Sequence, residues 1–103
     1  MSQLEQKSDI ILQAVALEYF VTVEQIKSKS RAFEYTRPRM VAIWLLYHYF
    51  EYMGPGAIGK VVNRSHSSAI TSKGKIDHLL QYTIDGYEKV VKLKGILNIK
   101  LQS

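Results

Sequence analysis

Arg64, Ser65, His66, Ser67 and Ser68 put a cation, three hydroxyls and an imidazole in five consecutive positions, and Lys73 and Lys75 follow in the same run. Two chemistries use such residues. The first is nucleophilic catalysis, in which an imidazole takes a proton from serine while a carboxylate orients the ring. Residues this close on one helix rarely oppose each other. No Asp or Glu lies between Tyr52 and Ile76 to orient His66. No catalytic residue is therefore expected. The second chemistry is contact with a polyanion. From Tyr52 to Ile76 there are four Lys/Arg (Lys60, Arg64, Lys73, Lys75) and no acid. Short polar side chains let a helix approach a base edge, and the free N–H groups of its first turn favour phosphate.

Two other signals lead nowhere. Gly54 to Lys60, GPGAIGK, satisfies G-x-x-x-x-G-K, but Val61 stands where a phosphate-binding loop needs Ser or Thr for magnesium. A chain rich in helix signals also supplies no preceding strand, so neither nucleotide nor cofactor is implied. His48 and His78 are too far apart in sequence to read as a metal pair. With no cysteine in the chain, disulfides and thiolate metal sites are excluded.

Positioning these residues requires a helix-turn-helix over about 55–82. Ile58, Val61 and Val62 are spaced to bury one face of a short helix, with Asn63 and Arg64 as the turn. Ser65 is placed to cap a second helix, whose apolar face carries Ala69, Ile76, Leu79 and Leu80. Upstream, Ser8 and Asp9 read as a helix start, followed at helical spacing by Ile11, Leu12, Val15, Ala16 and Tyr19, with an end near Phe20. Thr22 and Gln25 have capping-box spacing, and Val21 and Ile26 that of a hydrophobic staple, so a short helix is expected from Val23 to about Lys29.

A basic segment follows. Lys27, Lys29, Arg31, Arg37 and Arg39 are opposed only by Glu34, and Pro38 suits the first turn of the next helix. Met40 to Met53 is the most apolar stretch and reads as a buried helix. Its Trp44, Tyr47, Tyr49, Phe50 and Tyr52 are too many aromatics for one core stripe, which assigns some to a second, partly exposed face. Gly54-Pro55-Gly56 ends that helix. A last helix over about 86–97 carries Val90, Leu93 and Leu97, with Gly95 weakening it.

The 103 residues suit one domain spanning 1–103, and at 47% hydrophobic and 22% charged the chain can build a folded core. The net charge of +5 suggests a polyanionic partner. The start, MSQLEQKSD, has no signal-sequence pattern, and the longest apolar run, Met40 to Tyr47, is far short of a membrane span. No membrane partner is expected, and a cytoplasmic, nucleoid-associated location is.

Three stretches in order resemble the C-terminal DNA-binding domain of the DnaA replication initiators. VTVEQIKSKSR is similar to the segment before that family's basic loop. TRPRMVAIWL is similar to the start of its central helix, where Arg-Pro-Arg is common. AIGKVVNRSHSSAI is similar to its signature, in which Ile-Gly precedes an Arg-Asp-His-Thr-Thr-Val run. The resemblance covers about Ile10 to Leu80. It implies an all-α, six-helix bundle of Trp repressor type. Arg37 matches the arginine that the family places in the minor groove. Arg64, His66, Ser67 and Ser68 match the residues that touch phosphates and base edges. Ser65 stands where the family has aspartate, an acceptor suited to cytosine N4. Duplex DNA binding is thus implied, and binding to the family's usual site is not. No ATPase domain accompanies the resemblance.

The resulting expectation is an all-α domain that binds double-stranded DNA. Ser65, His66, Ser67, Ser68, Thr71 and Ser72 would face the major groove and Arg37 the adjacent minor groove. Arg31, Arg39, Lys60, Arg64, Lys73 and Lys75 would hold phosphates. The competing reading is a protein-interaction module, with the aromatic helix 44–52 and the C-terminal helix forming a homodimer or docking a partner.

Overall fold

The computed structural model describes residues 3–50, 53–65, 67, 69–71, 74–75, 77–78 and 84–101. Helix follows helix: α1 (Gln3–Tyr19), α2 (Val23–Ile26), α3 (Phe33–Tyr49), α4 (Pro55–Val61), α5 (helical at 67, 69–71, 74–75 and 77–78) and α6 (Ile84–Lys100), with no strand among the described residues. Among the described residues the domain is all-α, with six helices.

Apolar spacing explains who meets whom. Ile11, Leu12 and Val15 of α1 are fully buried, as expected from their i, i+1, i+4 spacing. They pack with Val41, Ala42, Ile43, Leu45 and Leu46 of α3, which is enclosed by α1, α2 and α4. Val90, Leu93 and Leu97 bring α6 onto α1, and Ile58, Val62 and Ala69 anchor the helix-turn-helix to the same core. No helix among the described residues is long and apolar enough to cross a membrane.

Several helix ends differ from expectation. Helix α1 starts at Gln3, and Ser8 is an interior, buried residue rather than a cap. The residues before it, LEQK, are good helix formers that extend the helix upstream. Its end is a Schellman turn: Phe20 adopts φ 58°, Val21 N–H reaches the Ala16 carbonyl (3.0 Å) and Phe20 N–H the Leu17 carbonyl. The capping box of α2 is complete. Gln25 N–H donates to Thr22 Oγ1 (3.0 Å) and Thr22 N–H to Gln25 Oε1 (2.9 Å). Yet α2 stops at Ile26 rather than near Lys29.

Helix α3 begins at Phe33, so Pro38 lies inside it, not in its first turn. At that point a proline forfeits only the bond to the Glu34 carbonyl near the helix start. The burial of the following residues outweighs that loss. At the other end α3 stops at Tyr49, before Met53. Of its surplus aromatics Phe50 is buried and Trp44, Tyr47 and Tyr49 are half-buried, while Tyr52 lies outside the described residues.

Gly95 sits in the interior of α6, exposed, with nothing within 4 Å of the position a Cβ would take. Gly95→Ala should therefore stabilise the domain by about 0.5–1 kcal/mol, read as a higher midpoint in urea unfolding at unchanged slope. A loss of stability would mean that α6 is not helical through Gly95.

Candidate nucleic-acid interface

The turn between α4 and α5 is built by backbone chemistry. Asn63 takes the left-handed conformation (φ 59°) just past α4. Arg64 N–H then reaches the Gly59 carbonyl (2.7 Å) and Asn63 N–H the Lys60 carbonyl (3.1 Å), the two bonds of a Schellman motif. Asn tolerates this conformation better than most non-glycine residues. Helix α5 opens where expected, since the Ser65 carbonyl accepts its first bond from Ala69 N–H (3.1 Å).

Gly59 fixes how closely the turn folds back. A Cβ there would lie 2.6 Å from the Arg64 carbonyl oxygen and 2.9 Å from that of Ser65. Both are backbone atoms, so nothing can swing aside. Gly59→Ala gains helix propensity but pushes α5 off α4. A net loss of about 1–3 kcal/mol is expected, measured by chemical denaturation. A neutral result would show that α5 can shift without cost.

The basic segment docks onto this turn. Lys29 Nζ donates to the Asn63 carbonyl (2.9 Å), and Asn63 Nδ2 donates to the Lys27 carbonyl (3.1 Å). The Ser30 carbonyl accepts from Arg39 Nη1 (3.2 Å) and from Arg64 Nη2 (3.4 Å). Loop and turn thereby bring the exposed Lys29 and the half-buried Arg64 together, with the exposed Arg31 next in the chain after Ser30. Lys29 and Asn63 were not singled out from sequence as site residues. The available signals were the place of Lys29 in the basic run and an Asn directly after a helix.

Arg39 is a correction. It was expected at phosphate, but it is 4% exposed and its guanidinium faces inward. Nε donates to the Ile26 carbonyl (2.6 Å), and Nη2 donates to the Ser28 carbonyl (2.8 Å) and more weakly to that of Gln25. These are the carbonyls at the end of α2, so Arg39 also explains why α2 stops early. Burial and the nearby Arg64 charge pull its pKa below the usual arginine value.

Two residues on in a helix is a rotation of about 200°, so Arg37 points the other way. Its guanidinium lies 5.2 Å from the Phe33 ring centroid, and it lines a pocket with Tyr19, Pro38, Glu88 and Lys89 on the α1–α6 side. Arg37 is not brought next to Arg64. Lys60 is exposed and borders a cleft with Lys27, Glu5 and Asp9. Ser65, Ser67, Thr71 and Lys75 are exposed along α5, with the Thr71 hydroxyl donating to the Ser67 carbonyl (2.9 Å). His66, Ser68, Ser72 and Lys73, and the expected core residues Ile76, Leu79 and Leu80, lie outside the described residues.

The aromatic face of α3 is occupied within the fold. Trp44 Nε1 donates to Asp77 Oδ1 of α5 (2.7 Å), and its ring stacks on His48 with centroids 5.4 Å apart. The Tyr49 hydroxyl meets Asn98 Oδ1 (2.7 Å) and the Lys94 carbonyl of α6 (3.1 Å). The aromatic helix and the C-terminal helix, offered from sequence as a docking surface, are thus in part each other's partners.

A family model described as the bacterial DnaA protein helix-turn-helix matches residues 8–76. The chain belongs to the bacterial DnaA helix-turn-helix family. The chromosomal replication initiator protein DnaA of Desulfatibacillum aliphaticivorans is 34% identical over 86 residues, which is 84% of this chain and 19% of that relative. The chain thus spans about a fifth of the length of the curated DnaA it matches. The matched region runs from α1 to α5, so the DnaA-type unit includes the basic loop and the turn it docks onto. It is a non-catalytic module.

Proposed function

We propose that this DnaA-type domain binds duplex DNA, with α5 in the major groove. The observation that carries the reading is the docking of the basic loop onto the helix-turn-helix. It sets Lys29, Arg31 and Arg64 beside the opening of α5, where phosphates flank a groove-bound helix. Ser65, His66, Ser67, Ser68, Thr71 and Ser72 face base edges. Arg31, Lys60, Arg64, Lys73 and Lys75 hold phosphates, joined by Lys29 in place of Arg39. Arg37 reaches a minor groove where the duplex passes the N-terminal end of α3. The relative named as a chromosomal replication initiator supports a role linked to replication initiation.

The test compares two substitutions on two duplexes, a preferred site selected from a random library and a random duplex. Phosphate contacts carry no sequence information, whereas base contacts do. Lys60→Ala should weaken both duplexes alike. His66→Ala should cost about 1–3 kcal/mol on the preferred site and leave random duplex nearly unchanged. Arg37→Ala should fall between, since a minor-groove arginine senses width and charge together. Helical circular dichroism and melting points control for folding. Equal losses on both duplexes for His66→Ala would mean that α5 does not read sequence.

A further inference from the structure

We propose that Asn63 is a positioning residue for DNA binding: its side chain and carbonyl latch the basic loop to the helix-turn-helix, so that Arg31 and Arg64 meet the backbone as one unit. The proposal rests on the duplex-binding reading above. Its basis is a reciprocal pair of bonds across more than thirty residues of sequence. Asn63 Nδ2 donates to the Lys27 carbonyl, and the Asn63 carbonyl accepts from Lys29 Nζ.

Neither bond is needed for the turn itself. The turn requires only a left-handed φ at Asn63 and the two Schellman bonds, which use backbone alone. Glycine meets that requirement at least as well as asparagine. The amide side chain is therefore surplus to the turn, and what it engages is the loop. Residues 27–31 lack helix or strand; the Lys27 and Ser28 ends are tied back to α2 through the Val23 and Gln25 carbonyls, and the other bonds that hold the loop come from Arg39, Arg64 and its own serines. Without the latch, Lys29 and the Lys27 carbonyl lose their tie to the turn and the longer Arg64–Ser30 bond must carry the docking, so the loop gains freedom that has to be given up when DNA binds, and that ordering opposes binding.

The test is Asn63→Gly in the full chain, which removes the side chain and keeps the turn. Its melting point should stay near that of the parent. Backbone amides of residues 28–31 should exchange hydrogen faster, and affinity for random duplex should fall about three- to tenfold. In a double-mutant cycle the penalty of Arg31→Ala should shrink by about twofold or more in the Asn63→Gly background, because an unlatched Arg31 contributes less. A purely structural role for Asn63 leaves the two penalties independent. If Asn63→Gly does not keep its fold, Asn63→Asp removes the donor at constant shape and gives the same exchange readout. Parent-like affinity and exchange in the variant overturn the latch alone. A parent chain that binds no duplex at low salt overturns the DNA reading and the latch with it.

Discussion

Arg39→Met is expected to destabilise the domain by about 3 kcal/mol or more, which for about 100 residues lowers the melting temperature by roughly 12–24 °C. Methionine fills most of the aliphatic volume but donates nothing. The carbonyls of Ile26, Ser28 and Ser30 then lose a charged donor, and Ile26 is fully buried. Bonds from a charged donor are about twice as strong as neutral ones, and an abandoned buried acceptor bears its full desolvation cost. Against a total stability of about 5–15 kcal/mol, the loss is large. Arg39→Lys should recover only part of it, because an ammonium cannot spread its donors across carbonyls on three sides as a guanidinium does. Thermal melts followed at 222 nm decide the matter. A Met variant that melts within a few degrees of the parent would show the loop to be held without Arg39.

Arg39 also shows what local charge does not encode. In a run of cations, charge alone does not say which one turns inward. The periodicity does. With α3 beginning at Phe33, Arg39 shares a face with Ile43 and Leu46, at i+4 and i+7, and both are fully buried. The same face exists for a helix with Pro38 in its first turn, but the basic run around Arg39 outweighed it. The proline preference for a first turn was outvoted by core burial further along, as tertiary packing often outweighs local preference.

What was legible rested on strong local rules. Thr22 and Gln25 specify their capping box by chemistry confined to four residues. Ile58, Val62 and Ala69 lie inside because their spacing leaves no other face to bury. What was not legible depends on distant partners. The Asn63–Lys27 and Asn63–Lys29 bonds join segments more than thirty residues apart, and the Trp44–Asp77 bond joins α3 to α5. No local pattern encodes such pairs. The family signature pointed to His66 and Arg64 without revealing that Arg64 shares a carbonyl with Arg39.

Raising salt from 50 to 200 mM is expected to weaken duplex binding about 250- to 1,000-fold, on a slope of log affinity against log salt near −4 to −5. The count behind that slope comes from the cations that remain once Arg39 is set aside. Lys29, Arg31, Lys60 and Lys75 are exposed and Arg64 is half-buried at the turn, and Lys73 completes the set. If four to six of these meet phosphates, each releases nearly one condensed counterion, so the slope is about 0.9 times their number. Individual cations can then be tested by their effect on the slope. Arg31→Ala should make it shallower by about one unit. Arg39→Met, assayed well below its melting point, should leave it unchanged, because a guanidinium spent on Ile26, Ser28 and Ser30 displaces no counterion from DNA. Titrations of a labelled duplex followed by fluorescence anisotropy at four salt concentrations give both slopes. A slope near zero in the parent chain would remove DNA binding from consideration. A slope that falls by one unit in Arg39→Met would return Arg39 to the phosphate-binding surface.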